Sequence, residues 1–327
     1  MRLKPIISAY ALFILLWFLV YWVWQDQWWL FTLLDALGVP LFWPAIPLLV
    51  LALLLRSTRH IYLAIAPVLI FFFFFYASLK PTIIPKYERA DLRISTYNIL
   101  NNNKNIDGIL AVIEQADSDL IAIQELTERL RSQILEQLIQ TYPYYYVSTP
   151  IRGGTTALFS KLPLTAIAEL DFGINRPAVI ATTTFGGKEI TVASAHLNPI
   201  YYALSNRPIK EMPRAIQQYI WGQNKQAKLL IDVLQDYDSD AFILGCDCNS
   251  RATTSTNRIL ERFFKDAVKV TGWGLGSTPV ENSTHEHDLN RIDYIWYTGA
   301  LTTKGVYRMV NSGGSDHQLI FSDFSWQ

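Results

Sequence analysis

Residues 241–249 read Ala-Phe-Ile-Leu-Gly-Cys-Asp-Cys-Asn, an apolar run that ends in polar side chains. Four apolar residues followed by acidic and amide groups predict a buried β-strand that carries Asp247 and Asn249 to one edge of a sheet. A single Asp or Asn after a strand is most often a turn residue. This stretch indicates more than a turn because the same pattern recurs along the chain.

On both sides of this stretch, strand-like and helix-like patterns alternate through residues 91–327. Alternating or continuous apolar residues predict strands at 92–99, 120–125, 155–160, 178–184, 189–195, 241–244, 291–297 and 319–324. Helical periodicity predicts helices at 106–115, 126–140 and 215–234. Gly186-Gly187 is typical of a hairpin turn. The order of elements predicts an α/β fold, a two-sheet α/β sandwich with helices on its outer faces.

Polar groups capable of catalysis or metal binding stand at or near the ends of these strands. In chain order they are Asn98, Glu125, His196, Asp247, Asn249, Asp293, Asp316 and His317. Each could be a turn residue or a surface residue if it stood alone. Together, on successive strands of one domain, they indicate a shared site.

The order of these groups resembles that of the endonuclease/exonuclease/phosphatase superfamily, which includes DNase I-like nucleases and neutral sphingomyelinases. The matching stretches are Tyr97-Asn98-Ile99, Ile123-Gln124-Glu125, residues 156–163 (Thr-Ala-Leu-Phe-Ser-Lys-Leu-Pro), Ala195-His196-Leu197, Gly245-Cys246-Asp247-Cys248-Asn249, residues 291–295 (Arg-Ile-Asp-Tyr-Ile) and Ser315-Asp316-His317. The resemblance covers residues 91–327. It implies a DNase I-like sandwich that hydrolyses a phosphoester with the help of a divalent metal.

The resemblance also implies a metal site. Glu125 would be the principal ligand, supported by Asn98, with Asp316 as a further candidate ligand. Carboxylate oxygens suit a hard cation, which would neutralise charge on the phosphoryl oxygens. Mg²⁺ is the expected cofactor, and Mn²⁺ is the alternative.

The remaining polar groups would carry the catalytic steps. His317 would act as a base, or would stabilise phosphoryl charge if it is protonated, and Asp293 would fix its tautomer. Asp247 would orient the attacking water or protonate the leaving oxygen. Asn249 would donate a hydrogen bond to the phosphate, and His196 would be a second donor to it.

The two cysteines, Cys246 and Cys248, lie on either side of Asp247. Because a bridge across one intervening residue would close a tight ring, we expect no disulfide framework. The two thiols are instead expected to be small buried side chains, or an oxidation-sensitive pair beside the site. His285-Glu286-His287-Asp288 has the composition of a metal cluster. We expect a solvated loop there, since the superfamily site needs no ligand at that position.

Residues 1–80 are predicted to be a membrane anchor with three transmembrane helices. The apolar stretches Ile6–Trp24, Leu37–Leu55 and Ile61–Leu79 contain no charged residue. Each is long enough to cross a hydrocarbon core of about 30 Å as a helix. The alternatives are a buried helical hairpin and a signal peptide, and a cleaved signal is disfavoured because no small-residue cleavage site follows the first stretch.

The flanking charges predict the orientation of this anchor. Arg2 and Lys4 precede the first stretch and Arg56 and Arg59 precede the third, whereas residues 25–36 contain no Lys or Arg. The positive-inside rule therefore predicts a cytoplasmic N-terminus. Three crossings of the inner membrane and a linker at 81–90 would then place the catalytic domain, residues 91–327, outside the cytoplasm.

Charge and aromatic content bear on the substrate. Residues 90–327 carry 21 Lys and Arg against 25 Asp and Glu, which is a poor balance for nonspecific binding of nucleic acid. Residues 198–223 combine aromatic and basic side chains, which suit a lipid headgroup phosphate but also suit base stacking. A packed excursion with exposed aromatic edges is the alternative for this segment.

Three spans followed by this domain are similar in architecture to the VanJ-type membrane phosphatases, which implies a phospholipid or lipid-linked phosphate as substrate. The first alternative is an extracytoplasmic endonuclease or exonuclease that acts on DNA or RNA. The second alternative is a non-catalytic membrane receptor, which the full set of polar residues disfavours. Oligomeric state is left open by the sequence.

Overall fold

The computed structural model describes residues 3–24, 26–79, 91–149, 155–173, 176–200, 205, 207–271 and 291–327. The helices are α1 (Lys4–Trp24), α2 (Trp29–Leu37), α3 (Ala45–Leu54), α4 (Thr58–Leu79), α5 (Ile106–Ala116), α6 (Glu128–Thr141), α7 (Met212–Leu234), α8 (Ser255–Glu261) and α9 (Ala267–Thr271). The strands are β1 (Leu92–Asn98), β2 (Leu120–Leu126), β3 (Tyr144–Val147), β4 (Thr155–Ser160), β5 (Thr165–Leu170), β6 (Ala178–Phe185), β7 (Lys188–His196), β8 (Ala241–Asp247), β9 (Lys265–Asp266), β10 (Asp293–Tyr297), β11 (Leu301–Arg308) and β12 (Ile320–Trp326).

The strands form two six-stranded sheets that pack face to face, as the sequence predicts. The first sheet has the order β11-β12-β1-β2-β4-β3 and the second has the order β5-β6-β7-β8-β10-β9. Gly245 lies where the sheets approach most closely, because a Cβ at this position would stand 2.6 Å from the Cβ of Ala122. Any side chain at position 245 would therefore push the sheets apart.

Apolar side chains fill three layers. The layer between the sheets includes Ile94, Ala122, Val192 and Ile243, all essentially inaccessible to solvent. Helices α5 and α6 cover the outer face of the first sheet, and α7 and α8 cover that of the second. The alternation of buried strands with amphipathic helices thus produces an α/β sandwich with an outer helix layer on each side.

The register of the inner strands fixes where their ends meet. Strands β1 and β2 are parallel, as are β7 and β8, and β10 runs antiparallel to β8. His196 pairs with Asp247, and Asp247 pairs with Asp293. The carboxyl ends of four strands and the start of β10 therefore share one edge of the sandwich.

The prediction of three full-length spans is wrong for the second segment. Two of the described helical stretches are long and apolar enough to cross a membrane, Lys4–Trp24 and Thr58–Phe75, with mean hydropathies of 2.3 and 1.8. The stretch Leu37–Leu55 is instead broken into a 3₁₀ turn, Val39–Phe42, and the ten-residue α3. Pro40 and Pro44 explain the break, since proline has no N–H to continue a helical ladder.

The two long helices lie side by side and run in the same direction. Near their N-termini, Ile7 of α1 and Ala64 of α4 share one apolar cluster. Near their C-termini, the ring of Tyr21 meets the ring of Phe74 edge to face, with centroids 4.8 Å apart.

The segment between them runs in the opposite direction. Phe42 precedes α3 and packs on Phe71 near the C-terminal ends of the long helices, with ring centroids 5.6 Å apart. Ala52 lies in the cluster at their N-terminal ends. Helices α1 to α4 therefore form a bundle whose first and last helices both point toward the sandwich.

Three expectations fall outside the described residues. These are the linker at 81–90, the loop prediction for His285-Glu286-His287-Asp288, and the aromatic residues Tyr201 and Tyr202 of the expected substrate segment.

Candidate active site

The site lies at the edge where β1, β2, β7 and β8 end. Asp247, the last residue of β8, is 1% exposed and lies at its centre. It pairs in register with His196 on one side and Asp293 on the other. The structure thereby brings together groups that are far apart in sequence, from Asn98 to His317.

Asn98 joins the two sheets at this edge. Its Nδ2 donates a hydrogen bond to Oδ2 of Asp247 (2.9 Å), and its Oδ1 accepts one from the backbone N–H of Leu100 (3.0 Å). Both side chains are buried. Asn98 therefore fixes the orientation of the Asp247 carboxyl as well as lying next to Glu125 in the predicted metal site.

The backbone at Glu125 is irregular, which changes the direction of its side chain. It adopts a positive φ of 62°, and the pairing of β2 with β4 shifts register between Ile123 and Leu126. Such a bulge turns a side chain out of the regular alternation, and bulges are common beside active sites. The Glu125 carboxylate accepts from the N–H of Asn101 (2.9 Å), and its Oε1 lies 3.9 Å from Nε2 of His196.

His317 and Asp293 form the expected pair. Nδ1 of His317 and Oδ2 of Asp293 are 2.8 Å apart, and Nε2 of His317 is 3.9 Å from Oδ2 of Asp247. Burial alone would lower the pKa of His317, but the charges of Asp293, Asp247 and Asp316 raise it well above its usual value of 6.5. His317 is therefore held protonated at neutral pH, which suits the stabilisation of phosphoryl charge.

His196 is held in the opposite protonation state. Burial lowers its pKa well below 6.5, and the nearby charges of Arg176 and His317 lower it further. Its Nε2 lies 2.5 Å from Nη1 of Arg176 and 3.2 Å from Oδ2 of Asp247. A neutral His196 accepts the Arg176 hydrogen bond through Nε2.

Asp247 is poised for proton transfer. Burial raises the pKa of its carboxyl to about 7, and Asp293 and Glu125 raise it as well, while His317 and Asn98 lower it. A group with a pKa near 7 exchanges protons efficiently at neutral pH. This fits the expectation that Asp247 orients the water or protonates the leaving oxygen.

Asn249 is held tightly beside Asp247. It has a positive φ of 47°, its N–H donates to Oδ1 of Asp247 (3.2 Å), and its Nδ2 donates to the carbonyl of Leu197 (3.1 Å). The backbone carbonyl of Asn249 accepts from Tyr219 and Gln223. Its position next to Asp247 is thus fixed at both backbone and side chain.

The residues at this edge include a group able to hold a metal ion. One ligand atom each from Asp247, Asp293 and His317 lies within 4.8 Å of the others, and Glu125 lies near His196 at the same edge. Because a protonated His317 has no free ring lone pair, the carboxylates are the groups here that would hold a metal ion. Carboxylate oxygens fit Mg²⁺ or Mn²⁺. The predicted set of Glu125, Asn98 and Asp316 stays a prediction beside this group. Asp316 is exposed, and its charge acts on His317.

Sequence reasoning missed Arg176. The side chain is 7% exposed and contacts His196, and it adds a positive charge to an otherwise acidic site. Arg176 precedes β6 and belongs to no motif, so the sequence carries no signal for it. A buried guanidinium at this place can bind a phosphate oxygen.

The structure corrects the expectation for the cysteines. Cys246 and Cys248 are joined in a disulfide, and both are fully buried against the outer helix layer. Their Cα atoms are 5.1 Å apart, which is within the usual range for a disulfide. The chain bends where β8 ends, so alternate residues come closer than they would in a regular strand.

The sequence pattern of the endonuclease/exonuclease/phosphatase family matches residues 95–317, a range that includes every site residue described above. The chain therefore belongs to this family and has the fold of its phosphoesterases. A search of curated proteins found no match.

Solved structures share the sandwich. Truncated TDP2 from Caenorhabditis elegans is 17% identical, with a TM-score of 0.55 over 71% of this chain and 96% of that one. TDP2 from D. rerio, solved with a single-strand DNA product, is 14% identical, with a TM-score of 0.57 over 72% and 98%. A family protein from Leptotrichia buccalis is 19% identical, with a TM-score of 0.53 over 72% and 100%. These likenesses concern the fold.

Proposed function

We propose that the chain is a membrane-anchored phosphoester hydrolase, dependent on Mg²⁺ or Mn²⁺, that acts on a phospholipid or lipid-linked phosphate. The observation that carries the proposal is the cluster around Asp247. Asp293 and His317 form an ion pair beside a carboxyl whose pKa is near 7, and His196 and Arg176 flank it. This combination is what hydrolysis of a phosphoester requires.

Each residue has a task in this proposal. Protonated His317 donates from Nε2 to a phosphoryl oxygen, and Asp293 holds its ring through Nδ1. Asp247 accepts a proton from the attacking water in its ionised form. A divalent cation at the carboxylates would neutralise charge on the phosphoryl group. Preorganised charge of this kind stabilises the transition state more than the ground state.

The N-terminal bundle supports the membrane part of the proposal. Two helices are long and apolar enough to span a bilayer, and many of their large side chains are exposed, among them Leu19, Trp22, Leu69 and Phe73. Exposed apolar side chains of this size suit contact with lipid. Because α1 and α4 run in parallel with the shorter segment returning between them, the first residues and the sandwich lie at opposite ends of the bundle. The basic residues near the N-terminus then favour an orientation of the anchor in the inner membrane in which the catalytic domain lies outside the cytoplasm.

This orientation predicts the behaviour of reporters fused after Gln327. Alkaline phosphatase should be active and green fluorescent protein should be dark, because the first folds outside the cytoplasm and the second inside it. The control is the same pair of reporters fused after Ser57, where the pattern should be reversed. A fluorescent fusion at Gln327 would refute the orientation.

The second candidate function is a nuclease, because the fold is that of a protein solved with a DNA product. The excess of acidic over basic residues in the catalytic domain weighs against it. The position of the sandwich next to an apolar bundle favours a substrate that is itself in the membrane.

The experiment that tests the proposal uses the full-length protein in detergent with Mg²⁺. Undecaprenyl phosphate, sphingomyelin and plasmid DNA are offered in parallel, and phosphate, phosphocholine and nicked DNA are measured. We expect turnover of a lipid substrate and none of DNA, with an Asp247→Asn variant as the inactive control. Nicking of DNA without lipid turnover would replace the proposal by the nuclease.

A further inference from the structure

We propose that the end of α1 and the turn after it are part of the catalytic apparatus, in which Tyr21 and Asp26 are positioning residues for the loop that carries Asn249. The inference rests on the proposed function, because it concerns the same site. It extends that function by making the anchor a determinant of catalytic rate, in addition to its role as a tether.

The N-terminal segment contacts the sandwich through buried polar groups. Oδ1 of Asp26 accepts a hydrogen bond from the backbone N–H of Ser255 (2.9 Å), the first residue of α8. The hydroxyl of Tyr21 donates to the carbonyl of Thr253 (2.6 Å), and the guanidinium of Arg258 lies 4.6 Å from the centroid of the Tyr21 ring. Asp26 is 4% exposed and Tyr21 is 2% exposed.

The burial of these polar groups at the interface costs free energy of desolvation. A carboxyl that loses its hydration needs partners to compensate. Asp26 has such partners in Ser255, which donates its backbone N–H, and in the charge of Arg258. Burial raises the pKa of Asp26, whereas the hydrogen bonds from Ser255 lower it. The interface is therefore a specific fit between the anchor turn and the start of α8.

A chain of hydrogen bonds continues from this interface to the catalytic loop. Oγ1 of Thr256, one residue beyond Ser255, donates to Oε1 of Gln223 on α7 (2.9 Å). Nε2 of Gln223 donates to the carbonyls of Cys248 (3.0 Å) and Asn249 (3.2 Å). Gln223 is 2% exposed, so water does not compete for these bonds.

A second contact reaches the same loop through α7. Trp29 of α2 packs against Ile216, Tyr219 and Ile220 of that helix. The hydroxyl of Tyr219 donates to the carbonyl of Asn249 (3.1 Å). The N-terminal segment thus supports the loop from α8 and from α7.

The loop in turn sets the geometry of Asp247. The N–H of Asn249 donates to Oδ1 of Asp247, and Asn249 holds a positive φ that its surroundings must maintain. If the carbonyls of residues 248 and 249 lose their support, this N–H moves and the Asp247 carboxyl loses its orientation. A misplacement of that kind lowers kcat more than it alters KM.

The test compares full-length variants in detergent with the soluble diester bis(p-nitrophenyl) phosphate and Mg²⁺. Asp26→Ala is expected to lower kcat about tenfold with KM within about twofold, the effect of one lost buried hydrogen bond. Asp26→Asn keeps an oxygen acceptor and should restore most of the rate. Tyr21→Phe keeps the ring under Arg258 but loses the bond to Thr253, so it should have a smaller effect. Tyr62→Phe, on an exposed residue of α4, is the matched control and should be unchanged.

Hydrogen exchange on the same proteins provides a readout that does not depend on activity. Asp26→Ala should speed exchange at Ser255 and also at residues 248 and 249, whereas Asp26→Asn should not. Faster exchange confined to Ser255, or an unchanged kcat, would overturn the inference and reduce the interface to a simple attachment. If the wild-type protein hydrolyses no phosphoester, the proposed function fails, and exchange at residues 248 and 249 still decides whether the anchor holds the loop.

Discussion

His317→Ala is expected to lower kcat by at least about 10²-fold, the usual scale for a group that moves or holds a proton in the transition state. The imidazole is nearly buried, is bonded to Asp293 and faces Asp247 across 3.9 Å. Alanine removes the positive charge that the surrounding carboxylates stabilise. The measurement is kcat for the full-length protein with the lipid substrate, and His60→Ala, in the first turn of α4, is the matched control.

Two further predictions can be checked in the same experiment. Asp293 acts through His317. The double variant of His317→Ala and Asp293→Ala should therefore raise the activation free energy, measured from kcat, by far less than the two single variants do when their increases are added together. The wild-type rate should rise with pH as Asp247, whose pKa is about 7, becomes ionised, and it should fall again as pH rises through the raised pKa of His317. Strict additivity, or near-normal turnover in His317→Ala, would mean that another residue acts, and His196 would be the next candidate.

Most of the sandwich and its site could be predicted from the sequence because burial leaves a pattern. Strands β1, β2 and β8 are buried along almost their whole length. β1 alternates apolar and polar residues up to Asn98, and β2 and β8 contain apolar runs that lead to Glu125 and Asp247. The edge strands β3 and β5 are largely exposed, so no alternation identified them. How clearly a strand can be recognised in the sequence therefore depends on how completely the strand is buried.

The features that the sequence did not reveal depend on contacts between distant segments. Arg176 reaches His196 across 20 positions, and Asp26 reaches Ser255 across 229. No local spacing encodes either contact. Asp247 and Asp293 pair in register across β8 and β10, and with His317 they form a group able to hold a metal ion that the sequence did not reveal. Register between strands cannot be derived from hydropathy alone.

The anchor shows a different limit. Leu37–Leu55 is as apolar as a membrane span, and composition therefore predicted a third full helix. Its prolines determine the outcome, because Pro40 and Pro44 end one helical segment and allow another to begin. Apolar composition predicts that a segment can lie in a membrane. The backbone N–H groups available for hydrogen bonds determine how long a helix the segment forms.

Removal of the divalent cation is expected to abolish hydrolysis, the largest effect in this account. Neutralisation of charge on the phosphoryl group cannot come from Arg176 and His317 alone when Glu125, Asp247 and Asp293 add negative charge to the same edge. EDTA should therefore eliminate turnover, and Mg²⁺ or Mn²⁺ should restore it.

The most direct test of the central claim is a titration of Mn²⁺ into the full-length protein by calorimetry, followed by turnover on the same samples. The account predicts saturable binding to the wild-type protein, binding weakened at least about tenfold in Glu125→Gln, and no turnover before metal is added. Glu128→Gln, on an exposed carboxylate three residues away, should match the wild type. Full activity in chelator, or equal Mn²⁺ affinity in Glu125→Gln, would contradict the account.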